Sequence, residues 1–178
     1  MKQGPRQLIP SWVRYLRRPS WLPFQLAREH PVQLSPTSIL TLDQCPYQYE
    51  LTYIRRLRDQ YATAKPYFTM ANHVHAVLRD FFRIVPVEAR TVETIEQMLR
   101  ERWRQYRGGF RTIDDERRWG EKALAQLRSF VLTEDITVHP FMLERPLEAH
   151  ITPGVILRAR ADRVDKESDG SLHLIDYK

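Results

Sequence analysis

With 178 residues the chain is long enough for one domain of ordinary size, and its 42% hydrophobic and 28% charged residues are the balance of a globular protein. No apolar run approaches the roughly 18 residues of a membrane span, and proline and arginine interrupt the basic N-terminus before a signal-peptide core forms. A single cysteine, Cys45, excludes an internal disulfide framework, so we expect a cytoplasmic protein.

The net charge of +6 comes from 28 basic and 22 acidic residues, and only five of the basic residues are lysines. Arginine binds phosphate through two parallel hydrogen bonds, and a basic balance is typical of nucleic-acid-binding proteins. A genomic preference for arginine gives the same composition. The arginine runs within residues 55–58 and 100–107 are more often solvated helix faces than phosphate contacts. Charge alone therefore leaves nucleic-acid binding open.

An irregular arm and then a series of helices are predicted. Residues 1–33 contain five prolines and no sustained period. Hydroxyl side chains in residues 34–38 predict a helix cap ahead of Ile39, and Pro46 divides that helix from a helical stretch over residues 47–57. Tryptophan and tyrosine residues on helices are expected mostly in the core, with no base stacking, and three further segments have apolar residues at helical spacing. These segments cover residues 68–84, 91–106 and 114–132.

Alternating apolar and polar residues then predict strands at residues 141–151, 155–165 and 171–178. Residues 166–170 end in Asp-Gly, which is a hairpin turn signal between the last two strands. Helices followed by a three-stranded antiparallel meander predict an α+β domain. The last strand is expected to be central in the sheet because it is apolar.

Two charged residues on the last strand, Asp176 and Lys178, stand two positions apart and therefore project from the same face. A turn centred near residue 168 places Asp162 opposite residues 174–176, and so beside Asp176. Converging carboxylates repel each other unless a cation neutralises them, and oxygen ligands suit Mg²⁺ or Mn²⁺. Because a metal ion and a nearby lysine activate water for attack on a phosphodiester, the spacing predicts a metal-dependent phosphodiesterase.

Structural roles compete with this interpretation. Asp162 has the alternative of pairing with Arg160 or Arg163, which are its near neighbours in sequence. Asp176 and Lys178 have the alternative of a weak ion pair on a surface strand, worth roughly 0–1 kcal/mol. A lone Asp-x-Lys is common by chance, so the pattern needs support from other segments.

Three segments, in the expected order, resemble the RecB-like exonuclease branch of the PD-(D/E)XK nuclease superfamily. Residues 34–38 (LSPTS) and 45–49 (CPYQY) are similar to its opening SxS…CPxxF/Y helices. Residues 71–78 (ANHVHAVL) are similar to its GxxxHxxL helix, with alanine where glycine is usual. Residues 160–178, which begin RADRVD and end DYK, are similar to its GxxDRxD…DYK hairpin. The branch includes the nuclease domains of RecB and AddB and the CRISPR-associated RecB-like exonucleases.

The resemblance implies a restriction-endonuclease-like fold and a set of site residues. Asp162 and Asp176 are implied as catalytic residues and as ligands of Mg²⁺ or Mn²⁺. The backbone carbonyl of Tyr177 is implied as a further ligand, and Lys178 as the catalytic lysine.

A histidine is also implied as a ligand. His75 corresponds to the histidine of the GxxxHxxL helix, although a bond to a backbone carbonyl explains a helix-edge histidine equally simply. His73 faces elsewhere and is expected to be structural. Glu144 is expected near the site on the first strand and is not counted among the ligands. In iron–sulfur members of the branch, a cysteine placed like Cys45 binds a [4Fe–4S] cluster, which needs about four thiolates, so such a cluster is expected only in a longer parent.

The superfamily core resembles αβββαβ, and the residues here supply only its first helix and three strands. We therefore expect residues 34–178 to be a nuclease domain truncated at its C-terminus, after an arm over residues 1–33. The resemblance implies a DNA exonuclease in recombination and repair that acts on single strands or free ends, with a helicase subunit or domain as partner. The alternative is a non-catalytic DNA-binding relic, and polarity and the choice between DNA and RNA stay open.

Overall fold

A computed structural model describes residues 31–61 and 63–177 of the chain. Most of the predicted arm, and the predicted catalytic residue Lys178, therefore lie outside the described residues. The described residues form two compact units: residues 31–58 with 148–159, and residues 59–147 with 160–177. Helices combined with a sheet confirm the predicted α+β class.

The first unit begins with strand β1 (Val32–Leu34), which pairs in parallel with the start of β3 (Val155–Lys166). The sequence predicted an irregular arm up to residue 33, and this prediction is wrong for its last two residues. An isolated three-residue strand is too short to show a period, so the sequence pattern could not reveal it.

The helices of the first unit follow β1 at once. Helix α1 (Pro36–Gln44) has the predicted hydroxyl cap: the Ser35 side chain accepts from the Ser38 N–H at 3.1 Å, and the Ser38 hydroxyl accepts from the Ser35 N–H at 2.8 Å. The second helical stretch is also confirmed. It consists of α2 (Pro46–Tyr49) and a π-helical turn (Glu50–Ile54), which are followed by α3 (Leu57–Tyr61).

Three long helices carry the core of the second unit: α4 (Pro66–Ile84), α5 (Val92–Gln105) and α6 (Ile113–Thr133). Each lies within two residues of its predicted bounds, because its apolar residues keep helical spacing to both ends. Thr91 and Thr112 cap α5 and α6 through their side chains, whereas Lys65 at the start of α4 makes no side-chain cap. No helix in the described part of the chain is both long and apolar enough to cross a membrane. The buried core residues from these helices are Met70, Val74, Val77, Leu78, Phe81, Phe82, Ile95, Leu99, Ala123 and Leu127.

One buried arginine ties the helices to the segment that leads into the sheet. Arg90 is only 5% exposed and lies between α4 and α5. Its guanidinium donates to the carbonyls of Phe82 and Val85 at the end of α4, at 3.1 and 3.0 Å. It also donates to the carbonyls of Ile136 and Val138 after α6, at 2.7 and 2.8 Å. Phe82 lies in the last turn of α4, where Pro86 supplies no N–H, and the other three carbonyls lie outside the helices and strands, so Arg90 satisfies acceptors that lack a regular backbone partner.

Helices α5 and α6 are joined by a carboxylate. Glu96 on α5 is 7% exposed and accepts from Arg128 of α6 at 3.0 Å and from Arg100 of its own helix at 2.8 Å. The hydrogen bond from Arg128, and then the one from Arg100, hold the pKa of Glu96 below its ordinary value of 4.5.

We predict that the Glu96 carboxylate makes the free energy of unfolding depend on pH in the acidic range. Because the folded-state pKa of Glu96 is lowered, its contribution is present above about pH 4.5 and is lost as pH falls through the folded pKa. The free energy of unfolding, measured with urea between about pH 6 and about pH 3, should fall more steeply for the wild type than for Glu96→Gln. Glu121→Gln, which removes an exposed partner of Arg117, is the control and should titrate like the wild type. Parallel curves for wild type and Glu96→Gln would contradict the prediction.

The sheet contains β2 (Met142–Thr152), β3 and β4 (Leu172–Ile175), and β3 is hydrogen-bonded to both of the others. The hairpin between β3 and β4 is antiparallel, with Arg163 opposite Ile175 and Val164 opposite Leu174. Gly170 has a φ of 87°, which glycine adopts without strain, so the predicted Asp-Gly turn signal is confirmed. The predicted meander is present, with β1 as an additional strand.

Strand β4 is not central in the described sheet. Within the described residues β3 is its only neighbour, and Leu172 and Leu174 are 57% and 62% exposed. The expectation of a central strand is therefore wrong for this part of the chain. An apolar run identifies a strand that has an apolar face, but it does not say whether anything covers that face.

Candidate metal centre

Helix α4 presents His75 at the edge of the helical core. Its neighbours Val74 and Leu78 are buried, whereas the His75 side chain keeps 31% of its surface exposed. His73 points away by about 200°, because each helical residue turns the chain by about 100°. The His73 Nε2 lies 2.9 Å from the carbonyl oxygen of Tyr106, and the ring is buried. His73 therefore has a structural contact, as expected, and His75 is the histidine that faces the sheet.

Three side chains converge where α4 meets strands β2 and β3. The His75 Nδ1 lies 3.3 Å from Asp162 Oδ1 and 3.4 Å from Glu144 Oε1. One ligand atom from each residue lies within 4.8 Å of the other two. The carboxylate side chains are shielded from water, with 9% of Asp162 and 11% of Glu144 exposed. One nitrogen and two oxygens thus point into a small, mostly dry space.

Glu144 combines an unfavourable backbone conformation with a buried carboxylate oxygen that accepts no hydrogen bond in the described structure. Its φ is 48°, a left-handed conformation that is rare for a residue with a side chain and is most often found at functional sites. Its Oε1 is buried and has no hydrogen-bond partner among the described residues, while its Oε2 pairs with Arg160 Nε at 3.0 Å. A buried carboxylate oxygen without a partner is strongly unfavourable. A cation between Glu144, Asp162 and His75 would remove that cost.

Asp162 is anchored on its other side. The backbone N–H of Tyr177 donates to Asp162 Oδ2 at 2.8 Å, which leaves Oδ1 directed at His75. Neither arginine considered as a partner of Asp162 pairs with it in the described structure. Arg160 pairs with Glu144, and Arg163 pairs with Asp165 at 2.8 Å.

Asp176 lies beside this group and is exposed. The register that pairs Arg163 with Ile175 brings Asp162 opposite Asp176 one step further along. Asp176 also lines the same groove as His75. Within the described residues the three-residue group is His75, Glu144 and Asp162, so a ligand role for Asp176 stays a prediction.

The Tyr177 side chain packs against His75 at the edge of the site. Its ring contacts His75 and Phe130 edge to face, with centroids 6.0 and 5.6 Å away. Burial raises the pKa of Tyr177 to about 12, although the nearby Arg163 guanidinium opposes the rise. The phenol is therefore neutral at any physiological pH and acts as a spacer behind His75. A ligand role for the Tyr177 carbonyl stays a prediction.

The sequence profile of the PD-(D/E)XK nuclease superfamily matches residues 33–178. The chain belongs to this superfamily. No curated protein sequence matches the chain. PD-(D/E)XK nucleases use divalent metal ions, and the donors found here are an imidazole nitrogen and carboxylate oxygens, the ligand types that such ions take. The orphaned Glu144 oxygen fits the same role, so the residues present fit a divalent cation.

Two other predicted site residues, Lys178 and Cys45, lie outside the group of His75, Glu144 and Asp162. Lys178 lies outside the described residues, so its catalytic role stays a prediction. Cys45 caps α2, where its Sγ accepts from the Gln48 N–H at 3.4 Å, and it is half-buried in the first unit. The cap explains a cysteine at this position without any cluster.

The arginine runs are partly paired. Arg100 pairs with Glu96 on α5, whereas Arg55 and Arg107 lie just past helix ends and pair with Glu50 and Glu116. Phosphate contact by either run stays untested.

Glu144 offers a test of metal binding that is independent of activity. We predict that Glu144→Gln leaves the metal-free protein as stable as the wild type or more stable, because the change removes a buried, partly unpaired charge. The same change should weaken Mn²⁺ binding by about 100-fold or more, beyond the 10- to 100-fold of an outer-sphere partner. Wild-type protein at a Mn²⁺ concentration 100 times the Kd should gain about 2.7 kcal/mol, visible as a higher Tm.

The control for this experiment is Glu148→Gln on the same strand. Glu148 is 45% exposed and pairs with Arg158, so its loss should leave the Mn²⁺ response unchanged. An undiminished Mn²⁺ shift in Glu144→Gln would exclude Glu144 as a ligand.

Proposed function

We propose that the chain is a metal-dependent deoxyribonuclease of the RecB-like exonuclease branch. The observation that carries the proposal is the group formed by His75, Glu144 and Asp162, with a buried carboxylate oxygen that has no other partner in the described structure. Its composition matches a divalent-cation site, and two of its members, His75 and Asp162, lie on the helix and the hairpin that resemble the motifs of this branch.

Each site residue has a distinct task in this proposal. His75, Glu144 and Asp162 hold Mg²⁺ or Mn²⁺, and the ion supplies Lewis-acid activation of water and phosphate when it is bound. The Tyr177 N–H fixes the orientation of Asp162. Asp176 and the Tyr177 carbonyl complete the donor set, and Lys178 orients the attacking water and offsets phosphate charge.

The substrate is proposed to be DNA with a single-stranded or free end. A groove of about 490 Å³ opens beside His75 and Asp176, and much of its lining is apolar, including Met70, Leu127 and Phe130. Unpaired bases bind to apolar and aromatic surfaces, whereas the paired bases of a duplex expose only their edges. The net charge of +6 favours association with a polyanion.

The wider role follows from the resemblance. RecB-like nucleases act in recombination and repair, so we propose this role, in the cytoplasm and together with a helicase subunit or domain. A [4Fe–4S] cluster that includes Cys45 is proposed only for a longer parent chain.

Cleavage of labelled single-stranded DNA tests the proposal. Linear and circular oligonucleotides are incubated with Mg²⁺ or Mn²⁺ and either the wild type or Asp176→Ala. The proposal expects the wild type to degrade the linear form, to spare the circle, and to lose this activity in Asp176→Ala. Cleavage of the circle would identify an endonuclease. If the protein is folded and binds DNA but cuts neither form with either metal, the function is that of the non-catalytic DNA-binding relic.

A further inference from the structure

The start of α4 carries two aromatic side chains that the core does not use. Tyr67 and Phe68 are each 45% exposed, and their ring centroids are 4.3 Å apart. The Lys65 ammonium lies 5.9 Å from the centre of the Tyr67 ring. Tyrosines on helices were expected mostly in the core, and Tyr67 is an exception because the buried part of α4 begins only at Thr69. Lys65, Tyr67 and Phe68 are called the aromatic platform below.

The aromatic platform stands on a fixed support. The Thr69 hydroxyl donates to the Gly108 carbonyl at 2.7 Å, which ties the first turn of α4 to the loop after α5. Gly109 packs so closely that an added Cβ would lie 3.0 Å from the backbone of Lys65. Rings on a helix held in this way lose little freedom when a flat ligand stacks on them.

The platform is aligned with the candidate metal centre. Phe68 and His75 are seven residues apart on α4, so they leave the helix within about 20° of each other and about 10 Å apart along its axis. Ala71 lies between them on that face and lines the groove beside His75. About 10 Å corresponds to roughly three nucleotides of a stacked strand at about 3.4 Å each, and to fewer of an extended one.

We propose that the aromatic platform stacks a nucleobase of a single strand whose phosphate lies at the metal centre, two or three nucleotides away. This inference rests on the proposed nuclease function and adds a base-binding site to it. Exposed aromatic rings bind unpaired bases of any sequence, and the Lys65 ammonium beside the rings matches the adjoining phosphate. The exposure of both rings, their mutual contact and the alignment of Phe68 with His75 together support a nucleobase as the occupant.

Binding of oligodeoxythymidylate without divalent metal tests the platform apart from catalysis. The Tyr67→Ala/Phe68→Ala double variant should bind about 5- to 150-fold more weakly than the wild type, the loss expected for one stacked base. Phe68→Trp should retain affinity, and its fluorescence should be quenched on binding. Phe141→Ala, which removes a ring that is 51% exposed elsewhere in the second unit, is the matched control and should bind like the wild type.

Abasic oligonucleotides locate the base. Moving a single abasic site along the strand should weaken binding to the wild type at one position, and the double variant should be insensitive there. Equal affinities of wild type and double variant, an identical abasic profile in both, no quenching in Phe68→Trp, or no binding by the wild type would each overturn the platform. If the binding results support the platform but DNA is not cleaved with any metal, the nuclease proposal is rejected. If DNA is cleaved and the KM of the double variant is unchanged, only the platform is rejected.

Discussion

The Asp162→Asn variant should cleave DNA at least about 10³-fold more slowly than the wild type. Asparagine keeps the size of the side chain and an oxygen to accept from the Tyr177 N–H, but it lacks the negative charge that faces His75 at 3.3 Å. Metal activation contributes several kcal/mol to phosphodiester hydrolysis, and each 1.36 kcal/mol of lost transition-state stabilisation is a tenfold loss of rate. Single-turnover cleavage of a linear oligonucleotide in saturating Mn²⁺ measures the effect.

Asp169→Asn is the matched control for this variant. Asp169 lies in the hairpin turn, where its carboxylate accepts from the Ser171 N–H at 2.8 Å, far from the metal centre along β3. The Asp169→Asn variant carries the same chemical change at an exposed position and should keep wild-type activity. If Asp162→Asn folds, binds DNA and retains a tenth or more of the wild-type rate, the catalytic site must lie elsewhere.

Arg90→Ala should lower the free energy of unfolding by about 3 kcal/mol or more, a large part of the 5–15 kcal/mol typical of a domain. The change removes four hydrogen bonds from a charged donor and leaves the carbonyls of Phe82, Val85, Ile136 and Val138 without that partner. It also removes the guanidinium that lies 5.2 Å from the centre of the Phe82 ring. Urea unfolding at neutral pH, followed by circular dichroism, measures the loss.

Two other variants calibrate that loss. Arg117→Ala removes an arginine that is 77% exposed and pairs with Glu121, so its effect should stay within about 1 kcal/mol. Arg90→Lys keeps the charge without the planar fork, reaches fewer carbonyls at once, and should fall between wild type and alanine. An Arg90→Ala protein as stable as Arg117→Ala would show that the carbonyls find other partners.

Local patterns in the sequence predicted the features that depend on local physics. Helical spacing located α4 to α6 because one face of each must be buried. The Asp-Gly signal fixed the turn after β3, and a short turn leaves little freedom in register. That register is why Asp162 could be aligned with the end of β4 from the sequence. The histidine that the sequence singled out, His75, lies on the edge of α4 that faces Asp162, and its role as a ligand stays a prediction.

Glu144 was expected near the site but not among the ligands, and its approach to His75 has a physical cause that the sequence pattern does not show. The Phe141 N–H donates to the Val164 carbonyl, and from that point strict alternation would place Leu143, not Glu144, on the face of Asp162. The left-handed conformation of Glu144 breaks the alternation and turns its carboxylate toward His75. A sequence pattern assumes regular strands, so it cannot see a residue that reaches its site through an irregularity.

The three residues of the candidate metal centre come from distant parts of the chain, since Glu144 follows His75 by 69 positions. The ion can therefore bind only after the hairpin of β2 and β3 has docked on the helices, which is a late event because such contacts close long loops. Ligand contacts that are absent from the folding transition state slow unfolding and leave the folding rate nearly unchanged. Under the proposed metal binding, the ion should therefore slow the unfolding of the second unit and lengthen the lifetime of its folded state.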